Sequence, residues 1–269
     1  MRSFFIEVAR KKAREVLRRF GVRAREHIRL EDFAETLGAR IEYGPLDGAD
    51  AQLLRINNRP RILVSTTRPM ETGARRWSIA HELGHFVLEH WVSLISSLWD
   101  PTRSQRHRDE SRRDFEAEAD AFAAELLMPT ALARHRCQVE PIGLGLAKEI
   151  ERDFDVSILA AASRVTELAS ARCAAVFSEA ARIKWFRKSS AFPFELEPNT
   201  ALDERSLAHA FFTRGAVETS PRRVPASAWR ASRHWAHVVE HAVCSRKYGT
   251  VLSMLWLPEP LSAESALHG

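Results

Sequence analysis

The pentapeptide His81-Glu82-Leu83-Gly84-His85 is the feature that most constrains this chain, because it lies in a helical pattern that runs from about residue 73 to residue 90. Two histidines four positions apart lie on one face of a helix, so both imidazoles can reach one zinc ion. Glu82 then lies beside the metal, where it can act as a general base toward water. Apolar residues would hold the opposite face in a core, namely Ile79, Leu83, Phe86 and Val87.

A catalytic zinc site needs a third protein ligand and an open fourth position. The extended pattern H-E-x-x-H-x-x-G-x-x-H would supply that ligand as a third histidine. In this chain Leu88 occupies the position of the glycine and Trp91 that of the histidine. The extended pattern is therefore excluded, which leaves a carboxylate as the third ligand.

An acidic, alanine-rich segment over residues 114–129, DFEAEADAFAAELLMP, supplies several carboxylates. Glu116 and Asp120 are four positions apart and share a helix face with Ala123, which is small enough to let two helices pack closely. Glu116 can bind zinc while Asp120 accepts a hydrogen bond from a ligand histidine. Glu118 faces another direction and is the alternative ligand. Taken alone, the segment would be interpreted as a surface helix.

A second motif, His237-Val238-Val239-Glu240-His241, matches the inverted pattern H-x-x-E-H. It lies in a strand-like run, where the two imidazoles would not come together as they do on a helix. We therefore interpret it as part of a partly exposed strand.

The pairing of IAHELGHFVL with ExEADAFAAELLMP resembles the ImmA/IrrE family of bacterial and phage metallopeptidases. The resemblance spans about residues 10–135 and continues loosely to about residue 168. In that family the third zinc ligand is the glutamate three residues before the Ala-Asp pair, which corresponds to Glu116. The resemblance implies one zinc per chain, held by His81, His85 and Glu116, and a site-specific endopeptidase with Glu82 as its catalytic base.

The resemblance also implies a substrate, a helix-turn-helix transcriptional repressor whose cleavage releases stress-response or mobile-element genes. The alternative is a non-catalytic regulator that binds a repressor or DNA and uses zinc only for its structure. The intact Glu82 favours the enzyme, because a structural zinc site does not need an ionisable group beside its ligands. Five residues are candidates for stabilising the oxyanion: Tyr43, Arg75, Arg76, His90 and His107.

The remaining patterns predict an α+β fold with three parts. Residues 1–140 would form a zincin-like helical catalytic domain with a small sheet, in which residues 100–114 form an exposed loop and a helix follows from about 112 to 128. Residues 141–170 would form a helix-turn-helix-like pair of helices. Residues 171–269 would form a strand-rich α+β region that recognises the substrate or a signal, with a helix over about 201–212 and four tryptophans in a small core: Trp185, Trp229, Trp235 and Trp256.

Charge alone invites a nucleic-acid interpretation, since 40 Lys and Arg against 35 Asp and Glu leave a net charge of +5. Much of the excess lies in residues 10–25, where basic side chains alternate with apolar ones at helical spacing, as on the outer face of a surface helix. The second helix of the 141–170 pair offers few base-reading side chains, namely Ser163, Arg164, Thr166 and Glu167. We therefore do not expect direct DNA binding.

The cysteines and the N-terminus indicate the compartment. Cys137, Cys173 and Cys244 lie far apart without a C-x-x-C pair, which argues against a disulfide framework and a cysteine zinc site. Charged residues lie among the apolar residues at the N-terminus, so this segment lacks the continuous hydrophobic run of a signal peptide. The uncharged stretch 91–99 is too short to span a bilayer. We expect a cytoplasmic protein without membrane contact.

Overall fold

The computed structural model describes residues 2–57, 59–67, 69–90, 105–215, 220–230 and 235–258, with the side chains of residues 2 and 105–112 left out. These residues form α-helices and two β-sheets, and the predicted α+β fold class is confirmed. The helices are α1 (Arg2–Arg19), α2 (Leu30–Leu37), α3 (Thr72–Val87), α4 (Gln105–Leu127), α5 (Thr130–Ala133), α6 (Leu144–Phe154), α7 (Ile158–Leu168) and α8 (Leu207–Arg214). The strands are β1 (Arg40–Gly44), β2 (Ala51–Ile56), β3 (Arg59–Ser65), β4 (Arg172–Glu179), β5 (Arg182–Lys188), β6 (Arg222–Pro225), β7 (His237–Ser245) and β8 (Thr250–Leu257).

The chain divides into two compact units. The first contains Met1–Leu132 and Glu151–Ser157, and the second contains Ala133–Ile150 and Ile158–Gly269. The boundary is not a single point in the sequence, because a short segment after residue 150 packs with the first unit.

The sheet of the first unit has the strand order β1-β3-β2, with β1 parallel and β2 antiparallel to β3. Helix α3 packs against β2 and β3, and α4 packs against both α1 and α3. Ile62 and Val64 on the central strand are 0% exposed. On α3, Ile79 is 2% exposed and Leu83 is 0% exposed. The apolar face of the H-E-x-x-H helix is thus held in the core.

Helices α3 and α4 approach each other closely at Gly84. A Cβ atom on Gly84 would lie 3.1 Å from Cδ1 of Phe122 and 3.2 Å from Cα of Ala119, both on α4. These contacts are tighter than most Cβ contacts, so a side chain here would force Phe122 or Ala119 to shift by a few tenths of an ångström. Gly84 therefore sets the distance between the helix that carries the histidines and the helix that carries the acidic residues.

Most of the basic residues of α1 are exposed, as the sequence pattern indicated: Lys11, Lys12, Arg18 and Arg19. The helix buries its small and apolar residues, Ala9, Ala13, Val16 and Leu17. Among its charged side chains, Arg10 lies 3.6 Å from Glu7 and Lys12 lies 3.3 Å from Glu15. The Lys12–Glu15 pair is exposed, as on a solvated helix surface, whereas the side chain of Arg10 is 27% exposed.

Helix α4 begins at Gln105, so the prediction of an exposed loop over residues 100–114 was wrong for its described part. The remaining residues of that loop, 100–104, lie outside the described residues. The segment from 105 to 114 is polar, but it contains neither proline nor glycine, and four of its ten residues are arginine, with one glutamine and one glutamate. Such residues have good helix propensity, so the lack of an apolar stripe did not indicate a loop.

The sheet of the second unit is antiparallel, with the strand order β5-β4-β8-β7-β6. Helix α7 packs against β4 and β5, and α8 packs against β7 and β8. Trp229 belongs to the buried core of this sheet, and Trp235 packs against that core. The sequence indicated four of the five strands; the short strand β6 was missed, and α8 begins at Leu207, later than expected.

The inverted motif H-x-x-E-H lies on β7, as its strand-like pattern indicated. Glu240 is fully buried, and its carboxylate accepts hydrogen bonds from four donors. The donors are the backbone N–H groups of Leu207 and Ala208 at 2.9 and 3.0 Å, Nε1 of Trp229 at 3.1 Å and Oγ of Ser253 at 3.0 Å. The motif glutamate thus joins the start of α8 to the sheet.

Two of the possible DNA-reading residues are buried in the second unit. Arg164 is 1% exposed and donates to Glu167 at 2.9 Å, and Thr166 is 0% exposed. Neither side chain is available to read a base edge.

Within the described ranges, no helix is long and apolar enough to cross a membrane.

Candidate metal centre

Two imidazoles converge on one point above α3. His81 and His85 are one turn apart, and their Nε2 atoms lie 3.1 Å from each other. The rings meet edge to face, with centroids 4.7 Å apart. Both side chains are mostly buried, with 17% and 12% of their surface exposed. The helix therefore aims two nitrogen donors at a shared position.

Glu116 brings a carboxylate from α4 to the same point. Its Oε2 atom lies 3.2 Å from Nε2 of His81 and 3.7 Å from Nε2 of His85. The three residues form a group that could hold a metal ion, since one ligand atom of each lies within 4.8 Å of the others.

The spacing of this group fits a tetrahedral metal site. Metal–ligand bonds of about 2.0–2.2 Å place neighbouring ligand atoms roughly 3.3–3.6 Å apart in tetrahedral geometry. The three observed separations of 3.1, 3.2 and 3.7 Å lie around that range. Two imidazoles and one carboxylate are also the donor set of many catalytic zinc sites.

The electrostatics of the group show how strongly the donors interact. Burial opposes protonation of His81, but its hydrogen bonds to Asp120 and Glu116 raise its pKa to about 10. Hydrogen bonds from His81 and His85 lower the pKa of Glu116 far below its usual range. The site thus favours positive charge at its centre, which a bound cation would supply in place of a proton.

Glu82 lies beside the histidines and is held by the sheet. Its Oε2 atom accepts a hydrogen bond of 2.8 Å from the backbone N–H of Leu53 on β2. Burial raises the pKa of Glu82, and the Leu53 hydrogen bond opposes this shift. Since β2 is an edge strand of its sheet, the N–H group that points away from β3 can reach the carboxylate.

The remaining acidic candidates on α4 have different partners. Asp120 lies with Oδ1 3.0 Å from Nδ1 of His81, on the side of the ring opposite Glu116. Glu118 lies with Oε2 3.1 Å from Nε2 of His90, away from the group of three. The structure thus brings Glu116 to both histidines and places Glu118 next to another imidazole.

Sequence reasoning did not predict the position of His90. This residue is 2% exposed, and its Nδ1 atom lies 2.9 Å from Nδ1 of His85. Burial and the nearby His85 lower its pKa to about 4. Residues on one face of a helix are three or four positions apart, whereas His90 follows His85 by five positions. Helical periodicity therefore did not predict their contact.

Other candidates for stabilising an oxyanion have contacts elsewhere. Tyr43 is 52% exposed, and its hydroxyl donates to Glu31 at 3.2 Å. Arg76 lies 3.8 Å from Asp155. Arg75 donates to the carbonyl of Met70 at 3.3 Å. His107 is outside the residues whose side chains are described.

A family comparison accounts for the arrangement of the two helices. The family model of the IrrE N-terminal-like domain, which defines peptidase family M78, matches residues 34–166. The chain belongs to the ImmA/IrrE family. The matched region of this ImmA/IrrE member contains the histidines, Glu82 and the acidic helix, and it supports a role of the metallopeptidase type or one related to gene regulation.

A comparison over most of the chain identifies a solved structure with a similar fold. No curated protein sequence matches this ImmA/IrrE member. A solved structure titled "Mycobacterium tuberculosis transcriptional regulator" is similar at 14% identity with a TM-score of 0.62, and the match covers 95% of this chain and 79% of that chain. At this identity the similarity shows a shared fold.

Proposed function

We propose that this ImmA/IrrE member is a zinc-dependent endopeptidase. The observation that carries the proposal is the convergence of His81, His85 and Glu116 beside Glu82, which the sheet holds in place through Leu53. Two imidazoles and a carboxylate leave a fourth position for water or substrate in a tetrahedral site, as catalytic zinc sites do.

The proposed ligands are Nε2 of His81, Nε2 of His85 and a carboxylate oxygen of Glu116. When bound, zinc acts as a Lewis acid that polarises the peptide carbonyl and makes water more acidic. Asp120 orients the ring of His81 by accepting a hydrogen bond from Nδ1, which leaves Nε2 as the ligand atom.

Glu82 is the proposed general base. The hydrogen bond from Leu53 fixes Oε2, so we assign Oε1 to take the proton from the attacking water. Glu82 then passes this proton to the nitrogen of the leaving amine. Burial raises the pKa of the carboxyl, which makes it a stronger base than an exposed glutamate.

The substrate we propose is a transcriptional repressor of the helix-turn-helix class, cut at one site to release stress-response or mobile-element genes. Support comes from the membership of the ImmA/IrrE family and from a solved structure of the same fold that is titled a transcriptional regulator. That title also supports a second candidate function, a regulator that binds a repressor or DNA without cutting and uses zinc for structure. The two candidates differ in whether Glu82 is needed.

We further propose that residues 1–140 carry the catalysis, that residues 141–170 form a helix-turn-helix-like helical segment, and that residues 171–269 recognise the substrate or a signal. All proposed ligands and the base belong to the first compact unit. A cytoplasmic location is part of the proposal, and it is consistent with the free thiols of Cys137, Cys173 and Cys244.

The test uses the zinc-loaded full chain and the repressor encoded beside its gene, with cleavage followed by gel electrophoresis and mass spectrometry. We expect Glu82→Gln to keep its zinc and its thermal stability but to lose cleavage by about 10²–10⁴-fold, because an amide cannot take the proton. Glu35→Gln is the matched control, since Glu35 is an exposed acidic residue on α2.

The two functions predict different outcomes. An enzyme gives one defined cut that chelation abolishes and added zinc restores. A non-catalytic regulator leaves the repressor intact and binds it equally well with glutamate or glutamine at position 82. Cleavage by Glu82→Gln at the wild-type rate would overturn the proposed mechanism.

A further inference from the structure

His90 occupies a buried position that a turn just after α3 creates. The helix ends at Val87, and Glu89 has a φ of +57°, a left-handed conformation that L-residues adopt rarely. This turn brings the imidazole of His90 back beside His85 and stacks it on Phe115, with ring centroids 4.6 Å apart and planes 27° from parallel. Backbone strain of this kind is often retained where it places a functional group.

Both nitrogens of His90 have partners in the first unit. Nδ1 lies 2.9 Å from Nδ1 of His85, and Nε2 lies 3.1 Å from Oε2 of Glu118. The side chain of Glu118 is 13% exposed, whereas that of Glu116 is 52% exposed. A buried carboxylate requires such a partner, so the contact with His90 is more than an incidental surface pair.

The three groups admit one consistent arrangement of protons when Nε2 of His85 serves as a metal ligand. Nδ1 of His85 then carries the hydrogen and donates it to Nδ1 of His90. Because that nitrogen of His90 accepts, its Nε2 must carry the other hydrogen, which it donates to the Glu118 carboxylate. Glu118 therefore selects the tautomer of His90, and His90 selects the tautomer and ring orientation of His85.

The two proposed ligand histidines are thus oriented in different ways from the same helix. Asp120 contacts Nδ1 of His81 directly at 3.0 Å, whereas Glu118 reaches His85 through an intervening imidazole. A partner on the second nitrogen of a ligand histidine fixes the ring and makes the ligand more basic. Glu118 then serves the site without contacting the metal position.

We propose that His90 and Glu118 are positioning residues for His85 and form a relay that strengthens metal binding. This inference rests on the proposed metal site, but its test is metal affinity, which does not depend on cleavage of any substrate. In this relay Glu118, the alternative metal ligand of the sequence analysis, instead supports the proposed ligand His85 through His90.

The test measures Zn²⁺ affinity of the full chain by competition with a chromogenic chelator, together with the visible absorption spectrum of the Co²⁺-loaded protein. His90→Phe keeps an aromatic ring against Phe115 but removes both hydrogen-bonding nitrogens. We expect this variant to bind Zn²⁺ about 10- to 100-fold more weakly and to shift the Co²⁺ absorption bands. His90→Gln, which can both accept and donate, should restore most of the affinity and the wild-type spectrum.

Glu118→Leu is a second variant that keeps the proposal testable if His90→Phe fails to fold. It should weaken Zn²⁺ binding over a similar range, while Glu35→Gln, which changes an exposed acidic residue on α2, should bind like the wild type. Circular dichroism of each variant shows that the loss concerns the metal and not the fold.

The outcomes separate the relay from the proposed enzyme. Wild-type affinity and an unchanged Co²⁺ spectrum in folded His90→Phe or Glu118→Leu would overturn the relay but leave the metal site intact. A wild-type chain that binds no metal would overturn both. Weaker metal binding in these variants together with a chain that never cleaves a repressor would support the relay and contradict the peptidase.

Discussion

Glu116 and Glu118 are two positions apart on α4, and at this spacing they face different partners. Oε2 of Glu116 lies 3.2 Å from Nε2 of His81, whereas Oε2 of Glu118 lies 3.1 Å from Nε2 of His90. Residues two apart on a helix are separated by about 200° around its axis, so one residue cannot replace the other without rotating the helix. The two glutamates therefore have separable effects on metal binding.

The first prediction concerns these two residues. Glu116→Ala should lose the metal on dialysis, because it removes one of the three proposed ligands. Glu118→Ala should still bind one zinc per chain at saturating zinc, with an affinity about 10- to 100-fold lower. Elemental analysis after dialysis, with zinc titration, measures both variants. Full zinc retention by Glu116→Ala would contradict the proposed ligand set.

At the scale of elements, the packing of α3 against α4 decides whether ligands from two helices meet. Gly84 lies between the two proposed ligand histidines and faces Ala119, whose backbone atoms cannot move without moving α4. A side chain at this position would require Phe122 or the backbone of α4 to shift by a few tenths of an ångström, and we expect this shift to change the distance between Glu116 and the histidines.

Gly84→Ala is therefore expected to lower stability and zinc affinity together. The added methyl group would lie 3.1–3.2 Å from Phe122 and Ala119. Overpacking of this kind costs about 1–3 kcal/mol, and the better helix propensity of alanine offsets up to about 1 kcal/mol of it. Urea denaturation and zinc titration measure the two effects.

Gly145→Ala is the matched control, because a Cβ atom at this helical glycine meets nothing within 4 Å. It should be neutral or raise the free energy of unfolding by up to about 1 kcal/mol. If Gly84→Ala behaves like Gly145→Ala in both measurements, close packing of the two helices does not govern the site.

A second element-scale prediction concerns Glu240 on β7. Replacing it with alanine leaves four buried donors without their acceptor and should cost roughly 3–5 kcal/mol. His237→Ala is the control from the same motif, since this residue is exposed, and its effect should stay within about 0.5 kcal/mol. Urea denaturation followed by tryptophan fluorescence measures both.

Neither variant of the inverted motif should change the zinc content, because the proposed ligands lie elsewhere. Glu240→Ala should also lower cleavage of the whole repressor more than cleavage of a short peptide that spans the cut, if residues 171–269 select the substrate. An unchanged ratio of the two rates would contradict that assignment.

At the scale of the whole molecule, the two compact units should respond to different perturbations. The proposed ligands come from α3 and α4 in the first unit, whereas Glu240 joins elements of the second. Zinc at 100 times its dissociation constant stabilises a folded site by about 2.7 kcal/mol. The question is where in the chain this stabilisation appears.

We expect zinc to slow amide hydrogen exchange most in α3 and α4, and Glu240→Ala to speed exchange most in β7, β8 and α8. Hydrogen-exchange mass spectrometry of the full chain measures both effects in one experiment. Zinc protection that is largest in the strands of the second unit would contradict a metal site on α3 and α4.

The sequence alone determined the parts of this protein that depend on local spacing. Four positions on a helix bring His81 and His85 together, and the same periodicity places Asp120 on the face of Glu116. The strand-like run over residues 238–244 likewise indicated a strand and not a helical metal site. The α+β class followed from the change of period along the chain.

Only the tertiary structure decided which atoms from distant segments meet. The hydrogen bond from Leu53 to Glu82 joins residues 29 positions apart, and that between Glu118 and His90 joins residues 28 positions apart. Periodicity indicates which face a side chain occupies, but the partner on that face depends on how helices and strands pack. The start of α4 at Gln105 was also not predicted, because a polar segment without proline or glycine is compatible with both a loop and a helix.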